Sequence, residues 1–318
     1  MKQQIDWNEL APAEDPAALL GELTPDTRIG TFMGLSLHIL HGREKPACMA
    51  EIGRIRESEY RRAGAGRNVS RDIDRLDTTP GMYRQLVAWD PQHLELVSMY
   101  RFAETSVLIR EAGLDALRTH SLFAFSPEFR SRYLSCAIEL GRSVVNSRAH
   151  RAVAGLFAVW RGLGILLNET DQLGFFFGNV TIPDVLPAQA RDHLLRFLYR
   201  YYSSDERRQM ARARDGTGYA FTTPEVPLPA DAASGREQLI DHFASAGQFV
   251  PPILLSYLNA TDDLHVFDTA RDDDFGGAWE TAIAVPVTAL TAKARRRFVD
   301  GYEREPDGYF TTHAAVAG

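Results

Sequence analysis

The stretch SCAIELGRSVVNS, residues 135–147, decides the fold, because it reads as a strand yet carries Glu139 and Arg142 in an otherwise apolar run. Side chains alternate along a strand. Ile138, Leu140, Arg142 and Val144 therefore share one face, and Glu139, Gly141, Ser143 and Val145 the other, unless a bulge re-aims one of them. An arginine on an apolar face needs a carboxylate within reach, since an unpaired buried charge is very costly. The acidic segment holding Asp72, Asp74 and Asp77 is the expected supplier. Glu139 sits beside Gly141, which leaves room for a ligand or another backbone to approach. A carboxylate at a cleft with small neighbours is a candidate general base. The competing reading makes Glu139 and Arg142 members of a structural ion-pair network.

Working outward, 29–40 (IGTFMGLSLHIL) reads as the first strand and 47–64 as a helix stopped by GAG. Residues 71–78 form an acidic turn, and 83–90 and 94–104 are two strands joined by DPQH. A short helix over 127–134 precedes the opening stretch, and a long helix over 149–170 follows it. A strand over 172–183 and an amphipathic helix over 187–202 come next. Residues at about 203–245 are charged and then Pro/Gly-rich, which predicts an inserted surface loop. Beyond it lie a helix at 249–260 and strands at 264–270 and 279–287. The order predicts an α+β protein: a lead-in at 1–25, a single domain over 26–305 and a tail at 306–318.

With 318 residues and a net charge of −7, the chain is ample for a sizeable core and is not a nucleic-acid binder by overall charge. Two cysteines, Cys48 and Cys136, exclude a disulfide framework and a CxxC zinc site. No apolar window is read as a membrane span and no signal peptide is read at the start. The expected location is cytoplasmic, with peripheral contact at the inner membrane face as its furthest extension. Nine histidines are scattered without HExxH spacing, so no metal site is expected. No GxGxxG or GxSxG occurs, which sets aside dinucleotide binding and a serine-hydrolase elbow.

The segments AEIGRIRESEYRRAG, DIDRLDT, YRQLVAWDP, YRFAE, ELGRS, VWRGLG, FFFGNVTI, ARDHLLRFL, VPPILLSYLN and FDTARDDDFGGAWETAIAVPV occur in that order between about residues 25 and 305. Together they resemble the GNAT acyltransferases that use acyl carrier protein thioesters. The resemblance is to the ornithine- or glycine-lipid branch, which includes proteins labelled hemolysins, and to the related acyl-homoserine-lactone synthases. It implies a GNAT-like fold, a mixed twisted sheet whose fourth and fifth strands splay, flanked by helices. It also implies that Arg56, Tyr60, Asp74, Asp77 and Arg101, with Glu139 and Arg142, line and brace the amine-acceptor side of the cleft. Tyr60 stands where phenylalanine is usual. Where coenzyme-A-dependent members carry a Gln/Arg-x-x-Gly-x-Gly/Ala loop, this chain reads NSRAHRAVAG without the paired glycines. That departure favours acyl-phosphopantetheine on acyl carrier protein as co-substrate over acyl-CoA, with no permanently bound cofactor.

The expected chemistry is attack of an amine on a thioester carbonyl. Glu139 takes the ammonium proton, directly or through water, and backbone N–H groups near Leu140, Gly141, Ser143 and Val144 hold the oxyanion. The pantetheine arm would pair with strand edges, where Phe177, Gly178 and Asn179 are expected neighbours. Arg148 and Arg151 would meet its phosphate or the acidic carrier. By resemblance the product is an N-acyl amino acid on the way to an aminoacyl lipid, its acyl chain long and 3-hydroxylated and its acceptor glycine or ornithine. The alternatives are a lactone synthase and a non-catalytic, hemolysin-like membrane-active protein.

Overall fold

The computed structural model describes residues 8–214 and 216–313. The ends of the expected lead-in and tail, residues 1–7 and 314–318, and residue 215 of the expected insert lie outside the described residues. Among the described residues ten strands follow in chain order: β1 (Arg28–Phe32), β2 (Leu35–Leu40), β3 (Arg84–Asp90), β4 (Glu95–Glu104), β5 (Phe123–Phe125), β6 (Ala137–Val145), β7 (Phe175–Ile182), β8 (Ala211–Ala213), β9 (His265–Asp272) and β10 (Ala278–Pro286). The chain groups into two compact units. One holds the residues up to Ala116, Leu140–Gln172 and those from Arg295 on; the other holds Leu117–Glu139 and Leu173–Ala294.

In the first unit β1, β2, β3 and β4 form an antiparallel meander, followed in sheet order by β6. The expected strand over 29–40 is in fact the hairpin β1–β2. Met33 and Gly34 both have positive φ (51° and 75°), and Phe32 pairs with Leu35 across the turn. A two-residue turn of this kind needs positive φ at both central positions. The largely apolar, strand-forming residues on either side concealed the break.

The helix Pro46–Arg62 packs one face of this sheet through Cys48, Met49, Ile52 and Ile55, against Val87, Trp89, Met99 and Val144. The helix Ala152–Glu169 lies against the sheet through glycines. A Cβ at Gly162 would fall 2.6 Å from the Leu86 side chain, and one at Gly155 would fall 2.5 Å from Val97. This helix is long and apolar enough to cross a membrane by length and composition, which corrects the reading that no window is; half of it is buried within the fold.

The lead-in is ordered from the helix Pro16–Glu22, whose Leu19 joins the core with Leu23. Its Glu22 accepts the amides of Ala47 and Cys48, the donors at the start of the helix Pro46–Arg62 that have no partner within it. In the tail, Tyr309 is buried, and its hydroxyl bonds His41 Nε2 at 3.0 Å.

In the second unit β7, β10 and β9 are antiparallel neighbours, with Gly178 opposite Ile283 and Asn179 opposite Ala282. The first residues of β6 lie beside β7. The Cys136 carbonyl accepts from Gly174 N (2.7 Å) and Phe175 N (3.3 Å). The insert is not a surface loop. It contains the helix Asp205–Met210, strand β8 paired with β5, and the helix Ala232–Ser245 with buried Leu239 and Phe243. The strand expected to be fourth is therefore the sixth, because a hairpin was read as one strand and β5, three residues long, had no sequence signal.

Candidate functional site

Strand β6 departs from simple alternation at Arg142, whose φ is +53°. A left-handed residue within a strand re-aims its side chain and costs about 1–3 kcal/mol unless the surroundings hold it. The surroundings here are ionic. Arg142 Nε lies 2.8 Å from Asp72 Oδ2, off the N–H axis, while Nη2 donates to Asp72 Oδ1 at 3.3 Å and lies 3.9 Å from Asp74 Oδ2. The guanidinium also stands 5.8 Å from the centre of the Tyr60 ring. The two-face assignment is thereby corrected. Ala137, Ile138, Glu139 and Leu140 are all buried, as in a strand covered on both sides, and Gly141 to Ser143 are half-buried.

The network extends into the core of the first unit. Gln85 and Arg101 are directly paired on β3 and β4. Arg56, on the buried face of the helix Pro46–Arg62, donates to Asp77 Oδ1 (3.0 Å) and to Gln85 Oε1 (2.5 Å), and Gln85 Nε2 donates to the same Asp77 oxygen at 2.9 Å. Arg101 Nη1 donates to both oxygens of Asp74 at 3.0 Å and lies 3.4 Å from Asp77. Its guanidinium stands 5.0 Å from the centre of the Tyr83 ring.

Asp74 and Asp77 hold position through a capping box on the short helix Arg75–Thr78, where Asp74 accepts from Leu76 N and Asp77 from Asp74 N. Three arginines (56, 101, 142) thus face three aspartates (72, 74, 77). Arg142 and Asp74, with side chains 10% and 19% exposed, are the rim; Arg56, Arg101, Asp72 and Asp77 are at 2% or less.

The charges hold one another ionised. Burial alone would push the Asp77 carboxyl up, but Arg56 and Arg101 outweigh it and hold it well below the usual range. Asp74 is lowered likewise, with burial outweighed chiefly by Arg101. Burial raises the Tyr60 phenol, and Arg142 only partly opposes this. Arg101 Nε and Nη2 are buried donors without a hydrogen-bond partner. A cleft of about 290 Å³ opens along Asp77, Tyr83, Arg84 and Glu104.

Glu139 closes the second unit's part of β6. It is 1% exposed, so it is not the solvent-lined cleft residue the sequence suggested. Its Oε1 accepts from both the amide (2.7 Å) and the hydroxyl (2.6 Å) of Thr119, which gives the carboxylate a polar seat within the interior. Beside it in sequence, a Cβ at Gly141 would meet no heavy atom within 4 Å, so open space does flank β6 there.

The residues expected to hold the donor are mixed in outcome. Leu140 and Val144 are buried, Val144 against Trp89 and Met99. Phe177 is buried edge-on to Phe125 and Phe129. Asn179 Oδ1 is buried without a hydrogen-bond partner. Arg151 donates to the Met33 carbonyl in the β1–β2 turn. Arg148 lines a cavity of about 280 Å³ shared with Glu14, Glu51, Glu59 and Glu95, a poor setting for a phosphate.

Sequence reasoning missed Gln85 and Thr119. Gln85 had a signal, as the amide inside the apolar run YRQLVAWD; Thr119 had none.

Residues 55–161 match the family model described as an acetyltransferase (GNAT) domain. Over 313 residues the chain is 31% identical to a glycine N(alpha)-acyltransferase of Bacteroides thetaiotaomicron, covering 91% of this chain and 89% of that protein. It is 29% identical to a glycine N(alpha)-acyltransferase of Phocaeicola vulgatus, covering 90% and 91%. Among solved structures, it aligns with a CoA-dependent acyl-homoserine lactone synthase, BjaI, with SAM and isopentyl-CoA, at 11% identity and a TM-score of 0.38, covering 89% of this chain and all of that one.

Proposed function

The chain belongs to the GNAT acyltransferases, and from that premise we propose that it joins a long, 3-hydroxylated fatty acyl group to the α-amine of glycine, taking it from the thioester of acyl carrier protein. The observation that carries the reading is the end-to-end similarity to a protein named as a glycine N(alpha)-acyltransferase, with 89% of that protein covered. The carrier, rather than coenzyme A, is supported by the missing paired glycines between β6 and the helix that follows. The reaction would take place at the cytoplasmic face of the membrane, where an N-acyl amino acid would partition.

In this reading Glu139 is the proton acceptor. Glycine arrives as a zwitterion, and its ammonium must lose a proton before nitrogen can attack. Glu139, held by Thr119, takes that proton directly or through a water. Nitrogen then bonds to the thioester carbonyl carbon, and a main-chain N–H of β6 stabilises the oxyanion. The C–S bond breaks, and the thiolate leaves and takes up a proton. Arg142, whose position is fixed by Asp72, and Asp74 are the rim charges available to the acceptor's carboxylate and ammonium. Arg56, Asp77, Gln85 and Arg101 brace that rim from below.

The test is incubation of the purified chain with 3-hydroxyacyl carrier protein and glycine, followed by mass spectrometry. N-acylglycine is expected. Parallel arms with ornithine, S-adenosylmethionine and acyl-CoA identify the acceptor and donor. A homoserine lactone as the main product would overturn the reading.

A further inference from the structure

The β3–β4 turn and the segment after β6 bring together three groups that the acyl-transfer reading does not use. One ligand atom each from His93, Glu95 and His150 lies within 4.8 Å of the other two. The two imidazoles are stacked, with centroids 4.1 Å apart and planes 7° from parallel. His93 is oriented by a carboxylate of its own, and the His150 ring faces Glu95, its neighbour in the cluster. Asp90 Oδ2 is 2.9 Å from His93 Nδ1, and Glu95 Oε1 is 3.1 Å from His150 Nδ1.

Asp90 is itself buried, and its other oxygen accepts the amides of Gln92 (2.9 Å) and His93 (3.3 Å), so it is a fixed anchor. A carboxylate that receives an Nδ1–H settles the tautomer and leaves the lone pair on Nε2, the arrangement found behind metal-bound histidines.

We propose that His93, His150 and Glu95 bind a zinc-class divalent ion, with Asp90 as the buried residue that orients His93. Two imidazole nitrogens and one carboxylate oxygen suit zinc rather than magnesium or calcium, which take oxygen ligands. Zinc–nitrogen bonds of about 2.0–2.1 Å place tetrahedral ligands roughly 3.4 Å apart. The ligand atoms here lie within 4.8 Å of one another, and the two exposed histidines turn toward each other to close on an ion. Water completes the shell. The sequence does not announce the site, because His150 follows His93 by 57 residues and only the fold brings them together. Bound metal ties the segment leading into the helix Ala152–Glu169 to the β3–β4 turn. The proposal stands independently of the acyl-transfer reading.

The test uses the whole chain, freed of metal by a chelator and titrated with zinc chloride in a calorimeter. One equivalent is expected to bind with micromolar or tighter affinity, and the melting temperature is expected to rise. His93→Ala and His150→Ala should each weaken binding at least tenfold, and the double variant should abolish the thermal shift. Asp90→Asn should weaken binding about 10–100-fold while the histidines remain. Circular dichroism verifies that each variant is folded. Absence of zinc binding by the unmodified chain, or unaltered binding by the double variant, overturns the proposal.

Discussion

Arg142 Nε sits 2.8 Å from Asp72 Oδ2, an ion pair that holds a left-handed residue in the middle of strand β6. Removing the carboxylate takes the nearest counter-charge from an almost buried guanidinium on a strained backbone. Asp72→Asn is expected to cost on the order of 3 kcal/mol by urea denaturation. It should also lower acyl-transfer turnover more than a remote variant of equal stability does, because Arg142 loses its fixed position. Loss of stability with turnover unchanged would confine the pair to a structural role.

The Asp77 carboxyl is held below its ordinary range, so the sign of its linkage is settled. Its stabilising contribution is present above the unfolded value, about 3.9, and is lost as pH falls toward the lower folded value. The unmodified chain should therefore lose stability with acid below about pH 4. Asp77→Asn should begin lower at neutral pH and show a shallower fall over that window. Chemical denaturation at pH 7, 4 and 3 reads both effects.

His38 supplies a second acid sensitivity, one that sets in nearer neutral pH. Burial, followed by the nearby Arg28, lowers its imidazole to about 3, and its ring bonds Thr27 Oγ1 (2.8 Å) and Ser36 Oγ (2.9 Å). Because the folded value lies below the unfolded 6.5, the neutral ring stabilises fully above about pH 6.5 and progressively less toward pH 3. Relative to His38→Gln, the unmodified chain should lose about 1.4 kcal/mol more per pH unit between pH 6 and 4. Parallel curves for the two proteins would contradict this.

Packing couples to the polar network at Gly42. A Cβ there would fall 2.2 Å from the Asp77 carbonyl oxygen and 2.9 Å from Met49 Sδ. Gly42→Ala must shift the short helix that carries Asp77. It is expected to cost about 1–3 kcal/mol, read as a lowered melting temperature. A variant as stable as the parent would show that the helix yields freely.

Much of this site was legible in the residues. Arg142 demanded a carboxylate because an arginine cannot lie unpaired on an apolar strand, and the segment with Asp72, Asp74 and Asp77 supplied it. The helix over 47–64 was legible from its spacing, and with it the inward face bearing Arg56. Other features depend on local backbone geometry that no periodicity reports. The positive φ at Met33 turns one apolar run into a hairpin, and that at Arg142 breaks the alternation of β6. The burial of Glu139 on Thr119 joins residues twenty apart through a short turn without a sequence signature. The insert misled because its Pro- and Gly-rich composition masks two buried anchors, Leu239 and Phe243.

Glu139→Gln separates a proton-accepting carboxylate from a structural one. The substitution keeps the shape and the ability to accept from Thr119 while removing the charge that would take glycine's proton. With 3-hydroxyacyl carrier protein and glycine, the parent should form N-acylglycine, and Glu139→Gln should lose about a hundredfold or more in kcat with its melting temperature retained. Equal kcat for parent and variant across pH 6 to 9 would contradict the account.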